Sequence, residues 1–188
     1  LMKLSKLILI LATMLLSQMA TADAESTGTA VPPDPTASAP PKGLIPDVLI
    51  KLGSGKFYSN RAIVVDKNNR TLTLWNQISE PEIELVKAYP IDYGRKEGDK
   101  FKMGDLRTPE GVYFFQETLI GGKQINYNEY GNRAFTMDYP NFWDKKENKT
   151  GSGIWLHAIP ETKTLKRGSR GCVVVRNEAI EDLKKYIS

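Results

Sequence analysis

From residue 61 to residue 175 the chain is cut into short apolar or alternating runs, and that pattern limits it to a fold made mostly of strands. "RAIVVDK" (61–67) and "TLTLWNQ" (71–77) flank "NNR" (68–70), the pattern of a hairpin with asparagines at its turn. "EIELVKAYPID" (82–92) continues the alternation, and "GVYFFQE" (111–117) reads as a fourth strand. "RAFTMDYP" (133–140) and "GIWLHAI" (153–159) are further strands, and the β-branched "CVVV" (172–175) suits a buried one. The closing "NEAIEDLKKYI" (177–187) changes period. Ala179, Ile180, Leu183 and Ile187 take the spacing of an amphipathic helix, with Asn177 as its expected N-cap. The expectation is a mostly-β domain with a C-terminal helix and no internal repeat.

Two segments precede that domain. Lys3 and Lys6 lead into "LILILATMLL", followed by small and polar residues and by Ala22-Asp23-Ala24, an A-x-A cleavage pattern. Residues 1–24 therefore read as a secretory signal peptide, with an uncleaved membrane anchor as the alternative. Cleavage would leave no stable membrane span, and the protein would be exported to the periplasm or cell envelope. Residues 25–43, rich in Pro, Ala, Ser and Thr, read as a linker. Residues 44–188 form the folded domain, beginning with a short helix within 44–58. Removing Lys3, Lys6 and Asp23 lowers the net charge from +4 to +3, which is too weak and dispersed a balance to point to nucleic acid.

The chain contains one histidine and one cysteine, and both fall in "HAIPETKTLKRGSRGC" (157–172). A thiol attacks carbonyls as the thiolate, and a neighbouring imidazole is a common means of producing it. His157 ends one expected strand and Cys172 opens another, so adjacent strands would bring them together. The alternative is a structural thiol. One His and one Cys leave a metal site two ligands short, and no cofactor is called for. In "GSRGC", Gly168 and Gly171 free the backbone for a turn whose N–H groups could face an oxyanion. Arg170 adds a positive charge for a substrate carboxylate, or else forms a surface ion pair. The loop 94–111, "GRKEGDKFKMGDLRTPEG", is either a solvated connection or a cover for the site.

The order His, fourteen residues, then Ser-Arg-Gly-Cys resembles the L,D-transpeptidase catalytic domain (YkuD) family. "GDLRTPEGVYFF" looks like that family's T-P-x-G turn into a strand, and "CVVVRNEAIEDL" is similar to the stretch after its cysteine. "EGDKFKMGDLRTPEGVY" and "NKTGSGIWLHAIP" look nearest a subgroup that includes cell-shape L,D-carboxypeptidases. The family's arginine two residues after the cysteine is Val174 here, with Arg176 two further on.

The resemblance implies a β-sandwich-like catalytic domain with short helices, and an enzyme acting on peptidoglycan stem peptides. Cys172 would be the nucleophile and His157 the base, oriented by the Ala158 carbonyl. Gly171 and Cys172 would supply oxyanion N–H groups, and Ser169 and Arg170 would contact substrate. The acyl group would pass to an amine on a second stem or an envelope protein, making the chain a transpeptidase. With water as acceptor it would be an L,D-carboxypeptidase, and without catalysis a peptidoglycan-binding module.

Overall fold

A computed structural model of the chain describes residues 8–12, 35–50, 59–79 and 82–187. Among the described residues eight strands run in chain order: β1 (Ile8–Ala12), β2 (Arg61–Asp66), β3 (Thr71–Gln77), β4 (Ile83–Pro90), β5 (Val112–Ile120), β6 (Arg133–Met137), β7 (Trp155–Ile159) and β8 (Val173–Arg176). Four short helices accompany them among the described residues: α1 (Asp47–Ile50), α2 (Tyr127–Tyr130), α3 (Phe142–Lys146) and α4 (Asn177–Leu183). The strands pair in the order β4-β3-β2-β1-β5-β6-β7-β8. They fall into two sheets that share β5, whose register shifts between Phe115 and Thr118 as it passes from one sheet to the other. On the far side Asp92 and Val174 exchange backbone hydrogen bonds of 2.9 and 2.8 Å, joining the chain after β4 to β8.

The alternation read in the sequence decides which core each side chain enters. Along β2 and β3, Ile63, Val65, Leu72 and Leu74 face the main core between the sheets. Ala62, Val64 and Trp75 face outward instead, where Leu49 of α1 and the neighbouring Ile45 and Val48 cover them. This second layer is why β2 is buried on both faces rather than on one. The main core is completed by Tyr113, Phe135, Leu156, Val173 and, from α4, Ile180 and Leu183.

Several expectations change. At the "NNR" turn, Asp66 Oδ1 accepts from the Asn68 and Asn69 N–H groups at 2.9 and 3.0 Å, and the left-handed residue is Arg70 (φ +49). Asn177 is not the N-cap of α4: Arg176 takes that position without a side-chain bond. The Asn177 amide is instead buried between elements, accepting from the Asn132 N–H at 2.8 Å and donating to the Tyr127 hydroxyl at 3.3 Å. Of the helix expected within 44–58, Asp47–Ile50 is observed, and residues 51–58 lie outside the described residues.

The stretch assigned to a leader contributes β1, parallel to β2 and antiparallel to β5. An apolar run containing Ile8 and Ile10 has the composition of a buried strand as well as that of a leader. Cleavage after Ala24 would remove β1 and leave β2 and β5 with facing edges. The rest of residues 1–34 lies outside the described residues, as do the cleavage pattern and most of the linker.

Candidate functional site

β7 and β8 run parallel, with His157 opposite Val174 and Leu156 opposite Val173. Side chains alternate across a strand, so the pair has one face in the core and one outside it. Leu156, Ala158, Val173 and Val175 enter the core. Trp155, His157 and Ile159, with Cys172 and Val174, line the floor of a groove of about 950 Å³. Cys172 and His157 thus lie on the same face of neighbouring strands, one pleat apart.

His157 is 7% exposed, and its Nδ1 lies 2.7 Å from the Ala158 carbonyl oxygen. A carbonyl can only accept, so Nδ1 carries the proton and Nε2 is the free basic nitrogen. The Tyr130 ring packs edge-on against the imidazole at 5.0 Å and also meets Trp155, holding the imidazole from α2. Burial lowers the imidazole pKa to about 4, with the Ala158 bond opposing and Lys163 assisting. The half-buried Cys172 thiol donates to the Gly153 carbonyl at 3.4 Å. Burial raises its pKa, outweighing the Trp155 N–H and the charges of Arg170 and Lys100. The resting pair is therefore a neutral thiol and a neutral imidazole on one face of the groove floor.

These shifts set the pH dependence. Alkylation of Cys172 by iodoacetamide is expected to keep rising above pH 9, and any reaction that uses the neutral imidazole as base is expected to hold down to mildly acidic pH and to fall as His157 protonates near pH 4. A thiolate already formed at pH 6 would contradict this. The lowered imidazole pKa also links to stability. Its contribution is complete above the unfolded value of 6.5 and is lost as pH falls from there toward about 4, amounting to about 3 kcal/mol. Urea midpoints measured from pH 7 to pH 4 should show that slope in the wild type and not in His157→Phe.

The turn before the thiol is held from three sides. Ser169 Oγ donates to the Cys172 carbonyl at 2.7 Å and accepts from the Gly171 N–H at 3.0 Å. Ser169, expected to touch substrate, spends its hydroxyl inside the turn, and the Gly171 N–H, expected to face an oxyanion, is used there too. The buried Asp92 carboxylate accepts from the Gly168 and Ser169 N–H groups at 2.9 and 3.2 Å. Thr108, fully buried, accepts from the Gly94 N–H at 2.9 Å and donates to the Gly171 carbonyl at 2.8 Å. The T-P-x-G element therefore pins the cysteine turn as well as starting β5. Arg170 is exposed on the groove wall, with no ion pair among the described residues. Arg176 is drawn away from the groove, donating to the Pro160 and Lys163 carbonyls.

Loop 94–111 forms the opposite wall, with Arg95, Lys100, Met103 and Leu106 facing the groove. It is latched rather than merely solvated. Lys67 Nζ donates to the Gly98 and Thr108 carbonyls at 2.8 and 3.0 Å and pairs with Glu110 at 2.7 Å. Lys100 pairs with Asp105 at 2.7 Å, and Lys149 pairs with Asp99 at 2.6 Å and Asp144 at 3.3 Å. All three lysines are buried.

Sequence reasoning missed Asp92, Tyr130 and the pinning role of Thr108. Asp92 and Gly168 are 76 residues apart, and Thr108 and Gly171 are 63 apart, so no local pattern could have paired them.

With this geometry in place, comparison with known proteins is specific. Residues 60–188 match the profile of YkuD, the L,D-transpeptidase catalytic domain. YafK of Escherichia coli K12 is 25% identical over 127 residues, covering 67% of this chain and 46% of YafK. The structure of Bd1075 from Bdellovibrio bacteriovorus is 48% identical, with a TM-score of 0.61, over 72% of this chain and 46% of Bd1075. The helical cell shape determining protein Pgp2 of Campylobacter jejuni is 28% identical, with a TM-score of 0.59, over 74% of this chain and 50% of Pgp2. The chain spans about half the length of each of these relatives.

Proposed function

Because this chain belongs to the YkuD family of L,D-transpeptidase catalytic domains, we propose that Cys172 cleaves the bond between diaminopimelate and the terminal D-alanine of a peptidoglycan tetrapeptide stem. The observation that carries this reading is the pairing of Cys172 and His157 on one face of β7 and β8, with Nδ1 tethered and Nε2 basic. His157 takes the thiol proton as sulfur attacks the carbonyl carbon of the L-centre. The Cys172 N–H is the backbone donor nearest the developing oxyanion. As the C–N bond breaks, His157 returns the proton to the departing amine of D-alanine, leaving a thioester on Cys172. Arg170, unpaired at the wall, would hold a carboxylate of the stem.

An amine on a second stem or an envelope protein then attacks the thioester, giving a cross-link or an attachment and restoring the thiol. A second reading, hydrolysis to a tripeptide, has one observation in its favour. Arg95, Lys163, Lys166 and Arg170 line the groove against one exposed acid, Glu129, and such a rim repels an acceptor arriving as an ammonium ion. Either reaction places the protein in the cell envelope. No helix among the described residues is long and apolar enough to cross a membrane.

Incubating the protein with tetrapeptide-rich sacculi and separating the muropeptides tests the proposal. Dimers linked through a tripeptide donor are expected from transpeptidation, and tripeptide monomers alone would assign hydrolysis. An unchanged tetrapeptide profile would reject both.

A further inference from the structure

Seven large hydrophobic side chains are exposed among the described residues, and four of them come from two segments fastened to each other: Phe101 and Met103 on the loop, and Phe142 and Trp143 on α3. The Thr150 N–H donates to the Phe101 carbonyl at 2.9 Å, and the Met103 N–H donates to Thr150 Oγ1 at 3.3 Å. Between them Lys149 lies over the Phe101 ring at 5.3 Å while pairing with Asp144 of α3. Met103 also lines the groove, so the strip runs from the groove mouth toward α3.

α3 is a five-residue helix held firmly from beneath. Asn141 and Asp144 form a capping box, the Tyr113 hydroxyl donates to buried Asp144 at 3.2 Å, and the Asn141 amide donates to the Val112 carbonyl at 3.1 Å. That rigid base presents Phe142 and Trp143 outward at 71% and 65% exposure, their rings edge to face at 5.3 Å. Neither ring contributes to either core cluster around it. Exposed aromatic surface of this kind on a fixed support is the usual form of a contact site.

Its charge selects the occupant. Lys102, Lys145 and Lys146 are exposed along the strip, with Lys146 Nζ 5.5 Å from the Trp143 ring centre, whereas the exposed acid Glu147 is paired with Lys149. Aromatic faces attract the weakly positive C–H faces of sugar rings, and the lysines attract carboxylates. A polymer carrying both is a glycan strand with peptide stems. We infer that the α3 strip is a second contact surface for peptidoglycan, holding the glycan strand beside the stem whose bond is cut. This rests on the proposed function, and it supplies binding energy remote from the reacting bond.

The test compares Phe142→Ala/Trp143→Ala with the parent protein in two assays. In the Cys172→Ala background, co-sedimentation with purified sacculi should weaken at least about tenfold. In the active background, turnover of sacculi should fall while turnover of a soluble tetrapeptide stays within about twofold. Unchanged co-sedimentation would overturn the inference, and so would an equal loss on the soluble peptide. A parent protein that self-associates on size exclusion, and a double variant that does not, would assign the strip to a second copy instead. If the parent protein cleaves neither substrate, the proposed reaction fails, and co-sedimentation still decides the role of the strip.

Discussion

Replacing Cys172 with alanine is expected to lower D-alanine release from tetrapeptide stems by at least about a thousandfold while leaving the fold intact. No second thiol exists in the chain to take over. His157 could at most activate a water, and the groove offers no metal-type cluster among the described residues to assist it. The structural cost is small because the half-buried thiol is held only by weak bonds, donating to the Gly153 carbonyl at 3.4 Å and accepting from the Trp155 N–H. Losing it should remove no more than about 1 kcal/mol. Chromatographic assay of D-alanine together with thermal unfolding separates the two effects. Retained turnover in Cys172→Ala would sink the nucleophile assignment, and a collapsed melting temperature would show that the thiol is structural.

The second large effect is expected at Gly171. Its φ is +141°, and a Cβ there would lie 2.7 Å from the Arg107 carbonyl oxygen and 2.9 Å from Ile154 Cδ1. Neither neighbour can move freely, since Arg107 precedes the buried Thr108 that donates to the Gly171 carbonyl and Ile154 belongs to the core. Gly171→Ala should therefore cost about 3 kcal/mol of stability. It should also displace Cys172 enough to slow acylation about a hundredfold, because small misplacements of a reacting group are costly. Gly168→Ala is the control. Its φ lies outside the left-handed range, and a Cβ would approach no closer than 3.4 Å, to the Lys166 carbonyl. The sequence treats these glycines alike. If both variants behave alike in urea titration and in rate, the packing argument at Gly171 is wrong.

That contrast shows what the sequence could and could not convey. The strands from β2 to β8 are legible because each is a short contiguous run of alternating or β-branched apolar residues, and such a run is a local property. The Cys–His pair is legible for a similar reason: two rare residue types stand beside glycines in one segment. The run that forms β1 also has the character of a leader, because an apolar run of that length satisfies either role. α2 and α3 span four and five residues, too short for a helical period to emerge. The turn before Cys172 was half legible. Its glycines announce a turn, but the supports come from Asp92 and Thr108, on segments brought near only by the closed sheet. Asn177 has a plausible local role that tertiary contacts override, because a polar side chain bonds to what folding places beside it.

The latches on the 94–111 wall carry a further consequence. Buried Lys67, Lys100 and Lys149 fix the loop, so the loss of its conformational freedom, roughly 1–2 kcal/mol per residue, falls on folding and not on substrate capture. Such a wall does not mould itself to whatever enters. Selectivity among stems then becomes a matter of refusal by a fixed shape. It can be retuned from Lys67 and Lys149, which do not line the groove, since removing either lysine strands a carboxylate and reshapes the wall from within.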